Sequence, residues 1–403
     1  MLVAAWIEYA GWVLFVIAFA GIVSSTVFLI LALIGAAKFH READHQERIA
    51  TETKTLPPVS LLKPVHGAEP RLRENIESFF VQDYPAYEII FAADEENDAA
   101  LDIIREVASR HPKINCRILV TGPPQFPNPP ASSFTRMADV ASYNILVTSD
   151  SDVEVAPDYL SQVVPPMLDP SVGMLTCVYR GKNTGGFWSA MDAIGMSIEM
   201  TAGVVTANLL EGMKFGLGPT IVTRKDSVAK IGGYRVTAEY FSNDFVIGNF
   251  IEKAGYRVVL SRHIIDHVVP PMTFQKMWDR QVRWAKGTRW SRPKGHFGTG
   301  LIFAMPYGVL GLLAGAMAGH WFLGLSLFVA AILNRMIESF AIGWGVVRDP
   351  VALKRVWLYP VRDLLGFAVW CASYLSKRAV WRDKRYQLVK DGRIVLRETS
   401  ANS

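Results

Sequence analysis

The chain has 403 residues, half of them hydrophobic, with 42 Lys plus Arg against 37 Asp plus Glu and only three cysteines. That length exceeds one ordinary domain, and the apolar share gathers at the two ends while residues 40–295 have the mixed composition of a soluble domain. A membrane protein with a large aqueous domain follows, and the lack of a basic stripe interleaved with aromatics outside the juxtamembrane segments argues against nucleic acid as a partner.

The first element is an uncharged run at residues 11–37, longer than the roughly 20 residues that a bilayer core requires. A signal peptide would need a basic leader and a shorter apolar core, whereas here the only early charge is Glu8, and Lys38, Arg41 and Arg48 follow the run. The positive-inside rule then puts the next domain in the cytosol.

In that domain apolar runs at 59–65, 87–94, 116–122, 144–152 and 173–180 alternate with helical patterns such as 70–83 and 98–112, which implies a largely parallel sheet flanked by helices. Ligands of such open sheets bind at the carboxyl ends of the strands, where Asp94 and the pair Asp150 and Asp152 fall. Two crowded carboxylates repel, and a hard divalent cation relieves them: Mg2+ or Mn2+ takes oxygen ligands and keeps places for water and phosphate. A solvated turn explains an isolated D-x-D equally well, because Asp side chains cap turns.

Further along, Asp244 opens an amphipathic helix expected to run to Ala254 and stop at Gly255, a place where a carboxylate can also serve as a mere cap. Residues 278–290 set Arg280, Arg283, Lys286 and Arg289 among three tryptophans, as an interfacial amphipathic helix would. Two spans are expected at 300–319 and 321–347, turning at His320. The second holds Arg335 and Glu338 on one helix face, either as a mutual pair or as a holder of a lipid head group. The run at 364–375 is short and reads as re-entrant or interfacial, which returns the basic tail to the cytosol. Five segments result: an anchor over 1–40, the main domain over 41–277, an interfacial stretch over 278–298, a membrane region over 299–378 and a cytosolic tail over 379–403.

The ordered blocks at 59–98 (VSLLKPVHGAEPRLRENIESFFVQDYPAYEIIFAADEEND), SDSDVEVAPDYL, TRKDSVAKIGGY, NDFVIG, the R-x-x-R-W of Arg280, Arg283 and Trp284, and RYQLVKDGRIV resemble the ceramide glucosyltransferase family, a GT-A-fold, family 2/21-type group. Bacterial hopanoid glycosyltransferases are similar in the same blocks. The resemblance spans about residues 55–395 and implies a GT-A (Rossmann-like, mostly parallel) cytosolic domain with N- and C-terminal transmembrane helices, in a bacterial inner (cytoplasmic) membrane. It implies inverting transfer of a hexose, glucose or N-acetylglucosamine, from a UDP-sugar donor to the hydroxyl of a membrane lipid acceptor.

By the same resemblance Asp94 contacts the nucleotide base, Asp150 the ribose, and Asp152 the diphosphate-bound metal, a divalent cation. Asp244 takes the place of the catalytic base, while Arg280, Arg283 and Trp284 bind the diphosphate and frame the acceptor. The chemistry asks for such groups independently: one carboxylate to take the acceptor proton, and positive charge on the departing diphosphate. Two departures stand out, Pro130 where the family has Lys in its NPK block and Asn243 where it has an acid. The competing readings are a processive polysaccharide synthase, which needs more membrane helices for its channel, and a non-catalytic membrane protein that binds nucleotide or lipid.

Overall fold

The computed structural model describes residues 2–381 and 384–397. The chain divides into two compact units: a helical one from residues up to Phe39, Gly186–Leu210 and Met272–Ser376, and a sheet unit from His40–Gly185, Glu211–Pro271 and the described residues from Lys377 on.

The sheet unit contains β1 (Val59–Pro64), β2 (Tyr87–Ala93), β3 (Asn115–Val120), β4 (Ile145–Thr148), β5 (Val153–Glu154), β6 (Val172–Asn183), β7 (Ile221–Arg224) and β8 (Arg257–Val269). They form one sheet in the order β3-β2-β1-β4-β7-β6-β8-β5. Strands β1 to β4 pair in parallel, as do β6 and β8, while β7 runs antiparallel between β4 and β6. This is the mixed, mostly parallel α/β sheet that the alternating pattern implies. Every residue of β1, β2 and β4 is buried, which is why these strands read as continuous apolar runs rather than alternating ones. Helix Leu72–Phe80 covers the sheet through Leu72, Ile76, Phe79 and Phe80, and helix Ala99–Arg110 through Leu101, Ile104 and Val107, both at the helical period. A separate antiparallel sheet of β9 (Arg378–Trp381), β10 (Lys384–Leu388) and β11 (Ile394–Arg397) follows near the C-terminus.

Three helices that lie wholly or mostly in the helical unit, Leu2–Glu52, Phe187–Glu211 and Trp321–Trp344, are long and apolar enough to cross a membrane. The run at 300–319 does not form one such helix. Its helical part is Met305–Met317, with Pro306 in the first turn, and 13 residues reach only about 20 Å against a core of about 30 Å. Proline fits the start of a helix but not its interior, so the helix cannot extend back through 300–304. It packs along Trp321–Trp344 where small residues meet: a methyl on Gly315 would come within 2.7 Å of Gly324 N.

Helix Phe187–Glu211 lies within residues 41–277, expected as one main domain, yet it packs with the other long apolar helices. Asp192 and Glu199 disguise its apolar character in sequence. Here Asp192 accepts from Gln281 Nε2 and faces Arg280 Nε at 3.4 Å, and Glu199 pairs with Arg362 at 3.0 Å.

Arg335 and Glu338 form the mutual pair, Nη1 to Oε2 at 2.9 Å, with Asp363 Oδ1 3.2 Å from the same nitrogen and all three side chains about 98% buried or more. Asp363 also accepts the backbone N–H groups of Ala304 and Met305 at 3.0 and 2.8 Å, satisfying donors that open the proline-started helix. The 364–375 run belongs to a longer helix, Leu358–Ser373, whose first turns bury Arg362 and Asp363.

Candidate active site

Register decides what can meet at the carboxyl edge. Because β1 lies between β2 and β4, all parallel, Asp94 after β2 and Asp150 after β4 leave the sheet on the same side, one strand apart. The turn that carries Asp150 and Asp152 is held residue by residue. Ser149 N–H donates to Leu62 O at 3.2 Å, Lys63 Nζ to Asp150 O at 2.8 Å, Asn75 Nδ2 to Ser151 O at 3.2 Å, and Val268 N–H to Asp152 O at 2.8 Å. A solvated Asx turn has no need of four remote partners; this turn is positioned.

Asp244 arrives from far along the chain. Its helix, Asn243–Lys253, ends before Gly255 at φ 92°, the stop that the sequence marks. The carboxylate accepts the Gly218 N–H through Oδ2 at 3.0 Å. A methyl built on Gly218 would stand 3.2 Å from Asp150 Oδ2 and 3.4 Å from Asp244 Oδ2. Both carboxylates therefore face one point, and a side chain there would press on Asp150, which would have to give way by a few tenths of an ångström.

The crowding shows in the protonation equilibria. Burial pushes the Asp150 carboxyl up to about 7, with the charges of Asp152 and Asp244 adding to the rise. Burial likewise raises Asp244, against backbone donors from Phe245 and Gly218 that favour its charged form. Lys63 sits beneath them, wholly buried, with Nζ 3.6 Å over the Phe79 ring. Burial pulls it down to about 7, against the attraction of Asp150, Asp152 and Glu69. His267 Nε2 lies 3.1 Å from Asp152 Oδ2.

Sequence reasoning missed Lys63, His267 and Gly218. Lys63 had a signal, a lysine in the otherwise apolar run VSLLKP; His267 and Gly218 had none, since only the folded chain brings them to the aspartates. Arg280, Arg283 and Trp284 belong to the helical unit, on helix Phe274–Ser291, where the Arg280 guanidinium lies 4.5 Å over the Trp284 ring.

Among the described residues, no three His, Cys, Asp or Glu side chains form a group that could hold a metal ion. The donors present still fit a hard divalent ion of the kind bound by one or two carboxylates and completed by substrate phosphate oxygens.

Several known proteins are similar to this chain. Ceramide glucosyltransferase 1 of Caenorhabditis elegans is 25% identical over 358 residues, covering 87% of this chain and 75% of that protein. An N-acetylglucosaminyltransferase of Rhizobium meliloti is 25% identical over 256 residues, 59% of this chain and 57% of that one. Among solved structures, a mannosyltransferase from Pyrobaculum calidifontis in complex with GDP-Man and Mn2+ is 15% identical, covers 86% of this chain and 99% of its own, and superposes with a TM-score of 0.45. The model of glycosyl transferase family 21 matches residues 13–394, nearly the whole chain, so this protein belongs to that family and is a glycosyltransferase.

Proposed function

We propose that the protein transfers a hexose, glucose or N-acetylglucosamine, from a UDP-sugar to the hydroxyl of a membrane lipid such as ceramide or a hopanoid, with inversion at the anomeric carbon. The site faces the cytosol in this reading, with the chain in a bacterial inner membrane. Glycolipid transfer is supported by family membership and by relatives named ceramide glucosyltransferase, and membrane attachment by three helices of sufficient length and apolarity. The observation that carries the mechanism is the convergence of Asp150 and Asp244, 94 positions apart in sequence, on Gly218.

In this mechanism Asp244 takes the proton of the acceptor hydroxyl while the oxygen attacks the anomeric carbon from the face opposite the diphosphate. The carbon–oxygen bond to UDP breaks, its electrons pass to the phosphate oxygen, and the acceptor's proton ends on the carboxylate. Burial suits Asp244 to that task by raising its proton affinity. Asp94 holds the nucleotide base and Asp150 the ribose. Arg280 and Arg283 bind the diphosphate by charge-assisted hydrogen bonds, and Trp284 frames the acceptor. Asp152 is the protein ligand for Mg2+ or Mn2+, which when bound supplies positive charge against the leaving group.

The test is mass spectrometry of lipids from cells with and without the chain, paired with purified transfer assays using UDP-glucose and UDP-N-acetylglucosamine. A new hexosyl or N-acetylhexosaminyl lipid is expected, together with UDP release that depends on added Mg2+ or Mn2+. Unchanged lipids and no UDP release from either donor would overturn the reading.

A further inference from the structure

The block RYQLVKDGRIV carries part of the family resemblance without a chemical task. In the structure it supplies most of β10 and the first half of β11, and the turn between them is stitched to the chain that leads into Asp244. Phe241 N–H donates to Gly392 O at 2.9 Å, Ile394 N–H donates to Glu239 O at 2.7 Å, and Tyr240 forms an antiparallel bridge with Arg393. The Arg393 guanidinium lies 5.4 Å over the Tyr240 ring and donates to Glu239 Oε2 at 3.2 Å. The other side of the segment is tied as well. Asn128 donates through Nδ2 to Tyr240 O at 2.8 Å and through its backbone N–H to Ala238 O at 3.0 Å.

Residues 238–242 have no helix or strand of their own to fix them, and Ser242, the N-cap of the next helix, makes no side-chain capping bond. Asp244 itself is held by the Gly216 N–H on its carbonyl at 3.1 Å and the Gly218 N–H on its carboxylate at 3.0 Å, while the segment that leads into it is held by Asn128 and the tail. The tail turn has a specific backbone conformation. Asp391 and Gly392 stand at φ 63° and 76°, a left-handed pair that costs least where the second residue is glycine, which gives the K-D-G of the block a physical reason.

We infer that the C-terminal sheet is a positioning element of the active site, which aims Asp244 through Gly392 and Ile394, so that transfer depends on a segment more than 130 residues downstream of the base. The inference rests on Asp244 acting as the base.

Two substitutions in the full-length chain test it. Gly392→Val puts a β-branched side chain at positive φ and shifts the carbonyl that Phe241 uses. Asn128→Ser keeps an N-cap acceptor for helix Pro129–Val140 but removes the donor to Tyr240. The expected kcat losses are on the order of 10- to 100-fold for Gly392→Val, as for a misplaced reacting group, and about fivefold for Asn128→Ser, as for one lost hydrogen bond. UDP affinity, measured by calorimetry with Mn2+, should stay within about threefold, since an aiming defect acts on kcat rather than on donor binding. Amide exchange should quicken over 238–246 and not in β1 or β4.

Faster exchange over 238–246 with kcat unchanged in both variants would overturn the inference. If Gly392→Val also loses UDP binding, Asn128→Ser alone decides. Asp244→Asn separates the two ideas: turnover by that variant removes the base role, whereas its inactivity beside two fully active positioning variants removes the role of the tail.

Discussion

Two places in this protein gather charge, and they treat it in opposite ways. In the helical unit, Arg335 lies between Glu338 and Asp363, while Arg362 reaches Gln281 and Glu199; two arginines serve three carboxylates, each of which has a guanidinium nitrogen within 3.2 Å. At the carboxyl edge of the sheet, Asp150, Asp152 and Asp244 crowd above a lysine whose own charge burial disfavours. In the first arrangement every carboxylate has an arginine beside it, as a low-dielectric setting demands. The second is a net acidic edge that a cation and a diphosphate can complete, and this difference separates a structural network from a site.

Four measurements would break or sharpen that contrast. The largest effect belongs to Asp244→Asn, which should lower turnover by about 10³-fold, in the range for a lost general base, while UDP-sugar binding stays nearly intact. Near-normal turnover would remove the residue from that role.

Next is Arg335→Met, which strands Glu338 and Asp363 in the interior. Thermal or denaturant unfolding in detergent should show a loss of about 3–5 kcal/mol, as for one-sided disruption of a buried pair. A triple variant that also carries Glu338→Gln and Asp363→Asn should recover much of it. If the triple variant is no better than the single, charge balance is not what the cluster provides.

The acidic edge should behave in the opposite manner on titration. The folded chain holds the Asp150 proton more tightly than the unfolded chain does, its pKa rising from 3.8 to about 7. With a chelator present, stability should therefore be greatest below pH 4 as far as this group is concerned, and should fall as pH rises through the window to about 7. Mn2+ with UDP should flatten the fall, because the cation favours the ionised carboxylate. An Asp150→Asn variant that keeps the full slope would show that another group causes it.

The smallest effect is expected for the exposed pair Arg105 and Asp102, 2.9 Å apart on the surface of helix Ala99–Arg110. Arg105→Ala should change stability by about 0.5 kcal/mol or less. Beside Arg335, it tests whether burial rather than ion pairing as such sets the magnitude.

The sequence by itself determined strands β1 to β4 and β6 with the helices that cover them, the long apolar helix at the N-terminus, the stop at Gly255 and the placing of Arg335 and Glu338 on one helix face, while the choice between a mutual pair and a head-group site waited for the structure. Each of these is written in local periodicity, in a single glycine, or in a spacing of three along one helix. It also marked Asp94, Asp150, Asp152 and Asp244 as residues to watch, though nothing local distinguishes a positioned Asp-x-Asp from a solvated one. Tertiary structure alone decided that Gly218 and Lys63 join Asp150, that His267 faces Asp152, and that a C-terminal turn holds the chain before Asp244. It also decided that Phe187–Glu211 packs with the other long apolar helices, since the partners of Asp192 and Glu199 lie more than 80 residues away. The reason is common to all of them: these contacts join positions far apart in the chain, and pairing across such distances is set by strand register and helix packing, which residue order does not spell out.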